Sequence, residues 1–151
     1  MATTFKWVAP ETLASALTTE LNSLANSTSD TTGFSALSAE IDNEAGLFQY
    51  IDLELFIDTQ GSARAAGAAV HVMIAAAVDN TPTYPADSNA PLVDQLTAFN
   101  FDAATTARRL TKYNIGIPPL KFKLYAWNKT GQALAASANT LKYRRHNEQG
   151  V

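Results

Sequence analysis

Asp52 and Glu54 are the first residues in this sequence whose type and spacing could do chemistry. In an extended chain, positions two apart fall on one face. Two carboxylates placed so could hold a calcium ion or divide the work of acid and base. The same spacing also describes the solvent face of an ordinary half-buried strand, and no second carboxylate pair adjoins it. His71 and His146 stand far apart, without the helical or hairpin spacing that makes two imidazoles converge on a metal. Cysteine is absent, which removes disulfides, thiol nucleophiles and thiolate metal sites together. No G-x-S-x-G, G-x-x-x-x-G-K-[ST] or G-x-G-x-x-G pattern occurs, and Gly61 and Gly67 read as turn and strand-edge glycines. The expectation is a protein that is not an enzyme and uses no metal or cofactor.

A second constellation lies in the last third. Arg108, Arg109, Lys121, Lys123, Lys129, Lys142, Arg144 and Arg145 are interleaved with Tyr113, Tyr125, Trp127 and Tyr143. Cations among aromatic rings could stack nucleic-acid bases. Trp127 and Tyr125, or Tyr84 in a proline-rich stretch, could equally stack a sugar ring. The plainer explanation of Lys121, Lys123 and Lys129 on one strand face is the protection of a sheet edge by lysine. An overall pI near 5.2 argues against nucleic acid as a partner. Charge is unevenly spread. Residues 1–102 carry 13 acids against Lys6 and Arg64, a net −11, whereas residues 103–151 carry nine bases against Glu148, a net +8. Either acidic strands lie beside basic strands in one fold, or a polarised surface meets other copies. The candidate partner-binding residues are Phe5, Trp7, Arg108, Arg109, Lys121, Lys123, Tyr125, Trp127, Arg144 and Arg145.

The elements that must position these residues follow from hydrophobic periodicity. A chain of 151 residues, 46% apolar and 17% charged, supports one domain with a packed core. No apolar run approaches the ~20 residues of a membrane helix, and the first residues do not read as a secretory signal. Residues 1–9 read as an extended arm. Over 10–26 the spacing of Leu13, Ala14, Leu17, Leu21 and Leu24 by threes and fours predicts an amphipathic helix opened by Pro10. From Phe34 the period becomes two. Strands are expected at 34–42, 47–58, 67–79, 96–101, 108–115, 120–127 and 139–145, with 132–138 open to strand or helical turn. The clearest, 47–58, sets Ile51, Leu53, Leu55 and Ile57 against Asp52, Glu54 and Asp58. Residues 80–94, with three prolines, read as a long loop. The pattern predicts a mainly β, antiparallel β-sandwich or jelly roll over 34–146, one N-terminal amphipathic helix, and a polar tail at 147–151.

Residues 115–124 (IGIPPLKFKL), 128–131 (NKTG) and 138–149 (ANTLKYRRHNEQ) resemble a group of small tailed-bacteriophage virion proteins, as do residues 10–25 and 41–53 (IDNEAGLFQYIDL). The resemblance spans most of the chain apart from the loop near 80–94, and its motifs are moderately specific. It implies a β-sandwich subunit decorating or cementing a capsid, or alternatively a tail component. The implied partners are the major capsid protein and further copies of the chain in a homo-oligomer, with no membrane. The implied location is the capsid surface of a virion, after synthesis in the host cytoplasm. It implies no catalytic residue. A carbohydrate-binding receptor-recognition module is the rival reading.

Overall fold

The alternation of Ile51, Leu53, Leu55 and Ile57 builds the central strand of the molecule. The computed structural model describes residues 5–7, 9–77, 84 and 94–150. Nine strands follow in chain order: β1 Phe5–Trp7, β2 Ala14–Leu17, β3 Tyr50–Ile57, β4 Ala69–Ala76, β5 Gln95–Asn100, β6 Arg108–Gly116, β7 Phe122–Lys129, β8 Thr140–His146 and β9 Glu148–Gly150. They form two antiparallel sheets, ordered β2-β8-β3-β6 and β5-β4-β7, and a two-stranded ribbon β1-β9. Every pairing is antiparallel.

The core draws on both sheets. Leu17, Ile51, Leu53, Leu55, Ile57 and Leu141 from the first meet Val70, Val72, Ile74, Phe99, Phe122, Leu124 and Ala126 from the second. A smaller cluster of Met73, Ala75 and Tyr125 lies on the other face of the second sheet, under Phe34, Leu37, Tyr84 and Trp127. That face explains why β4 is buried on both sides instead of alternating. The position expected at Val78 and the loop expected at 80–94 lie outside the described residues, apart from Tyr84 and Asp94.

The N-terminal helix expected over 10–26 is not what the structure shows. This segment is extended at its start, pairs with β8 as β2, and makes a single 3₁₀ turn at Thr19–Leu21. Leu17 and Leu21 reach the core from this path, while Leu13 stays 51% exposed. The reason is energetic. An isolated helix of about 15 residues is marginal in water, and Thr12, Ser15, Thr18, Thr19, Asn22 and Ser23 are poor helix formers. Burying two leucines is worth about 1.5–3 kcal/mol each, and β8 would otherwise expose an open edge.

The strand expected at 34–42 forms only in outline. Phe34 and Ile41 bridge to Trp127 and Phe122 on the edge of β7, with no regular ladder between them. Instead, Ser35 and Ser38 complete the pairing with their hydroxyls. The Ser35 N–H donates to the Ala126 carbonyl (2.9 Å), and the Ala126 N–H donates to Ser35 Oγ (2.9 Å). Ser38 and Leu124 repeat the arrangement at 2.8 and 3.0 Å. Three residues of this segment thus match two of β7, and the side-chain oxygen stands where a strand's carbonyl would be.

Candidate functional site

The acidic strand β3 lies between the basic strands β6 and β8. Register puts Asp52 opposite Arg144, Glu54 opposite Lys142 and Thr111, and Phe56 opposite Arg109. Asp52 and Glu54 do share one face, as their spacing requires. Each meets an arginine there. Arg144 Nε donates to Asp52 Oδ2 at 2.9 Å, and Arg109 Nη1 donates to Glu54 Oε1. Arg109 also lies 5.0 Å over the Phe56 ring. Asp52 Oδ1 accepts the Asn114 N–H at 3.0 Å.

Asn114 sits at the irregularity where pairing slips between Ile51 and Leu53, with a left-handed φ of 55°. Asparagine tolerates that region better than most residues. The resulting bulge on β6 turns a backbone N–H toward Asp52. The Asn114 side-chain oxygen faces His146 Nε2 at 3.1 Å, and Tyr50 stacks on the imidazole. His146 is therefore a buried part of this network, and His71, on the second sheet, contacts Gln95 at 2.6 Å and the Trp127 ring. Among the described residues no group of three or more His, Cys, Asp or Glu is disposed to hold a metal ion.

A shallow groove of about 410 Å³ crosses this face, floored by Asp52, Glu54 and Arg144 and walled by Leu13 on one side and Thr111 and Tyr113 on the other. Leu13 and Tyr113 are two of the three large apolar side chains left exposed among the described residues. Both Asp52 oxygens and Glu54 Oε1 accept charge-assisted or backbone hydrogen bonds on the floor of this groove.

The remaining candidate residues are dispersed over the molecule. Arg145 is turned inward, forming a two-pronged pair with Glu11 (2.7 and 2.8 Å) and lying over Phe48. Arg108 is tied to Asp102 and Thr106, where Asp102 also receives the fully buried Arg64. Hydrogen bonding from Arg108, with a second bond from Arg64, holds the Asp102 carboxyl below the usual carboxylate range. Arg64 reaches Gln60 Oε1 and the carbonyls of Asp102 and Thr106 as well, pinning two loops together. Sequence reasoning missed Arg64. The available signal was its isolation: Arg64 is the only Lys or Arg between Lys6 and Arg108.

Lys121, just before β7, pairs with Glu40 at 3.8 Å, and Lys123 on β7 lies over the Tyr84 ring, whose hydroxyl donates to Glu40. Tyr125, which the spacing offers as a stacking platform, is 2% exposed. Burial pushes its hydroxyl up to about 12. Trp127 stacks on Phe34 at 5.0 Å and 8°, and carries the Lys129 ammonium 3.5 Å from its ring centre. Two groups so close cannot share one side of an indole, so both faces are taken. Phe5 and Trp7 are the first and last residues of β1, in register with Gly150 and Glu148. The chain-level charge asymmetry is thus largely consumed inside the fold, by cross-strand pairs between its early and late segments.

Comparison with family models, with curated proteins and with solved structures found no match to this chain.

Proposed function

We propose that the chain is a structural protein of a tailed-bacteriophage virion and, within that class, a capsid decoration (cement) subunit that binds the major capsid shell as a homo-oligomer. In this reading the two sheets are the layers of one antiparallel sandwich of the jelly-roll kind, since a single core draws on both. The class is suggested by the resemblance of residues 10–25, 41–53, 115–124, 128–131 and 138–149 to small virion proteins. The observation that carries the reading is the β1-β9 ribbon. It gathers the two ends of the described chain into one short strand pair, with both outer edges open among the described residues. Open strand edges offer unpaired N–H and C=O groups to a neighbouring chain. The rest of the molecule is a scaffold that spends its charges on internal pairs, and its action on a shell is mechanical: surface buried between subunits raises the cost of opening.

The test is binding to purified shells stripped of this protein. Decoration predicts saturable binding and a rise in the shell's thermal disruption temperature. Binding to tails with no effect on shells assigns the chain to the tail, and binding to neither removes the reading. Glycan recognition through Tyr125 and Trp127 has no support in the geometry, since one ring is buried and the other covered on both faces.

A further inference from the structure

Residues 5–41 contain no strand paired within themselves. Among the described residues, each backbone pairing they make beyond local turns is with residues 122–150, in reverse order along the sequence. β1 pairs with β9, the Glu11 N–H donates to the Arg145 carbonyl (3.0 Å), and β2 pairs with β8. Ser23 then bonds to Ala135 (2.9 Å), Ser27 to Asn128 (2.7 Å), and Ile41 exchanges bonds with Phe122 (2.8 and 3.0 Å). This one strap closes the edge of β8 in the first sheet and the edge of β7 in the second.

Three properties make the strap separable from its own body. It is complementary in charge to what it covers. Residues 9–41 hold Glu11, Glu20, Asp30 and Glu40 with no Lys or Arg, and residues 118–150 hold six cations against Glu148. Acidic straps repel one another and are drawn to the basic edge of any copy. It carries its own apolar anchors, Leu17, Leu21 and Ile41, into the core. And it joins the body through a tight connector at 42–49. There Leu47 is held at φ 45° and exposed, and a Cβ on Gly46 would meet the Phe48 ring at 2.3 Å. A left-handed leucine is strained, and a short strained hinge favours exchange of the element it carries.

We propose that this strap is exchangeable: residues 5–41 of one copy seat on the β7, β8 and β9 edges of a second copy, the connector at 42–49 opening to let them cross. Every strap contact is reproduced between copies, so exchange costs the freedom of association and the connector's own bonds between Asn43 and Phe48, and it prevails where copies are crowded. The inference deepens the decoration reading and rests on it, because a shell lattice supplies that crowding.

The absence of cysteine allows a direct test. Ser15 and Lys142 are partners in the β2-β8 register. Full-length Ser15→Cys and Lys142→Cys chains, each with its own tag, are co-expressed, purified and oxidised. Exchange predicts a mixed-disulfide dimer on the order of tenfold more abundant than from Ser15→Cys with Thr111→Cys, on β6, two strands beyond β8 and not a register partner of β2. It also predicts that Leu47→Gly, which relaxes the closed connector, reduces the mixed dimer. A yield no greater than the Thr111 control overturns the proposal, as does a Ser15→Cys/Lys142→Cys double variant that closes only within one chain at every concentration. Shell stabilisation without mixed dimer sinks the exchange and leaves decoration standing; mixed dimer without shell binding does the reverse.

Discussion

Replacing Ser35 or Ser38 by alanine isolates the contribution of a hydroxyl that stands in for a strand carbonyl. Both serines are buried, and each accepts one N–H of β7, from Ala126 at 2.9 Å and from Leu124 at 3.0 Å. Alanine keeps the Cβ and the backbone bonds to the same two residues and removes only the oxygen. One buried N–H is then left without an acceptor, which costs about 1–3 kcal/mol. For a domain of this size that is a fall in Tm of roughly 3–10 °C. The double variant loses more than either single but less than their sum, because both sites load one edge. Urea unfolding gives the free energies, with Ser29→Ala, in an exposed turn, as a control expected within about 0.5 kcal/mol of the parent. Hydrogen exchange gives the location: the amides of Leu124 and Ala126 lose protection and their neighbours on β4 do not. A parent-like Tm with both amides still protected refutes the reasoning, since those N–H groups then have other acceptors.

Arg64→Ala removes a buried guanidinium that serves four acceptors and is expected to cost about 1–3 kcal/mol in urea unfolding, from backbone and Gln60 oxygens left without a donor, with Arg64→Lys failing to restore the forked geometry. Asp102 has its folded value depressed, so its stabilisation is complete above about pH 4 and is lost as pH falls through that lower value. Asp102→Asn should flatten the acid limb of the stability profile. Tyr125 has its folded value raised, so its contribution is complete below about pH 10 and is lost as pH climbs toward 12. Absorbance titration should lose a late tyrosinate step, near pH 12, in Tyr125→Phe. Lys129→Ala uncovers one face of Trp127, and acrylamide quenching of tryptophan emission should rise.

Period-two patterning located β3, β6, β7 and β8 to within a few residues, because each packs one face into a shared core; β4, an apolar run, was located too, although it is buried on both faces. Helical spacing by threes and fours misled at 10–26. Leucines four apart satisfy a helix, but a short strand followed by a 3₁₀ turn presents Leu17 and Leu21 to the core equally well, and the open edge of β8 decided between them. At 34–42 the alternation marked the right location. It could not reveal that Ser35 and Ser38, three apart, set a three-against-two match to β7, since that step depends on the partner strand. The candidate partner residues fared unevenly for a related reason. A basic, aromatic last third is visible in the sequence, but which of its charges are consumed depends on acidic residues a hundred positions earlier, such as Glu11 against Arg145. Composition posed the two alternatives, neutralised strands or a polarised surface; the register of β3 between β6 and β8 favours the first.

The long reverse zipper also sets a timetable for folding. The first third of the chain has its docking edges in the last third, so nothing can seat it until nearly all of the polypeptide has left the ribosome. Contacts of such great sequence separation form slowly, because the intervening loop must close before any pairing rewards it. Until then Leu17, Leu21 and Ile41 wait exposed on a segment rich in serine, threonine and carboxylates, whose polarity keeps it soluble during the delay.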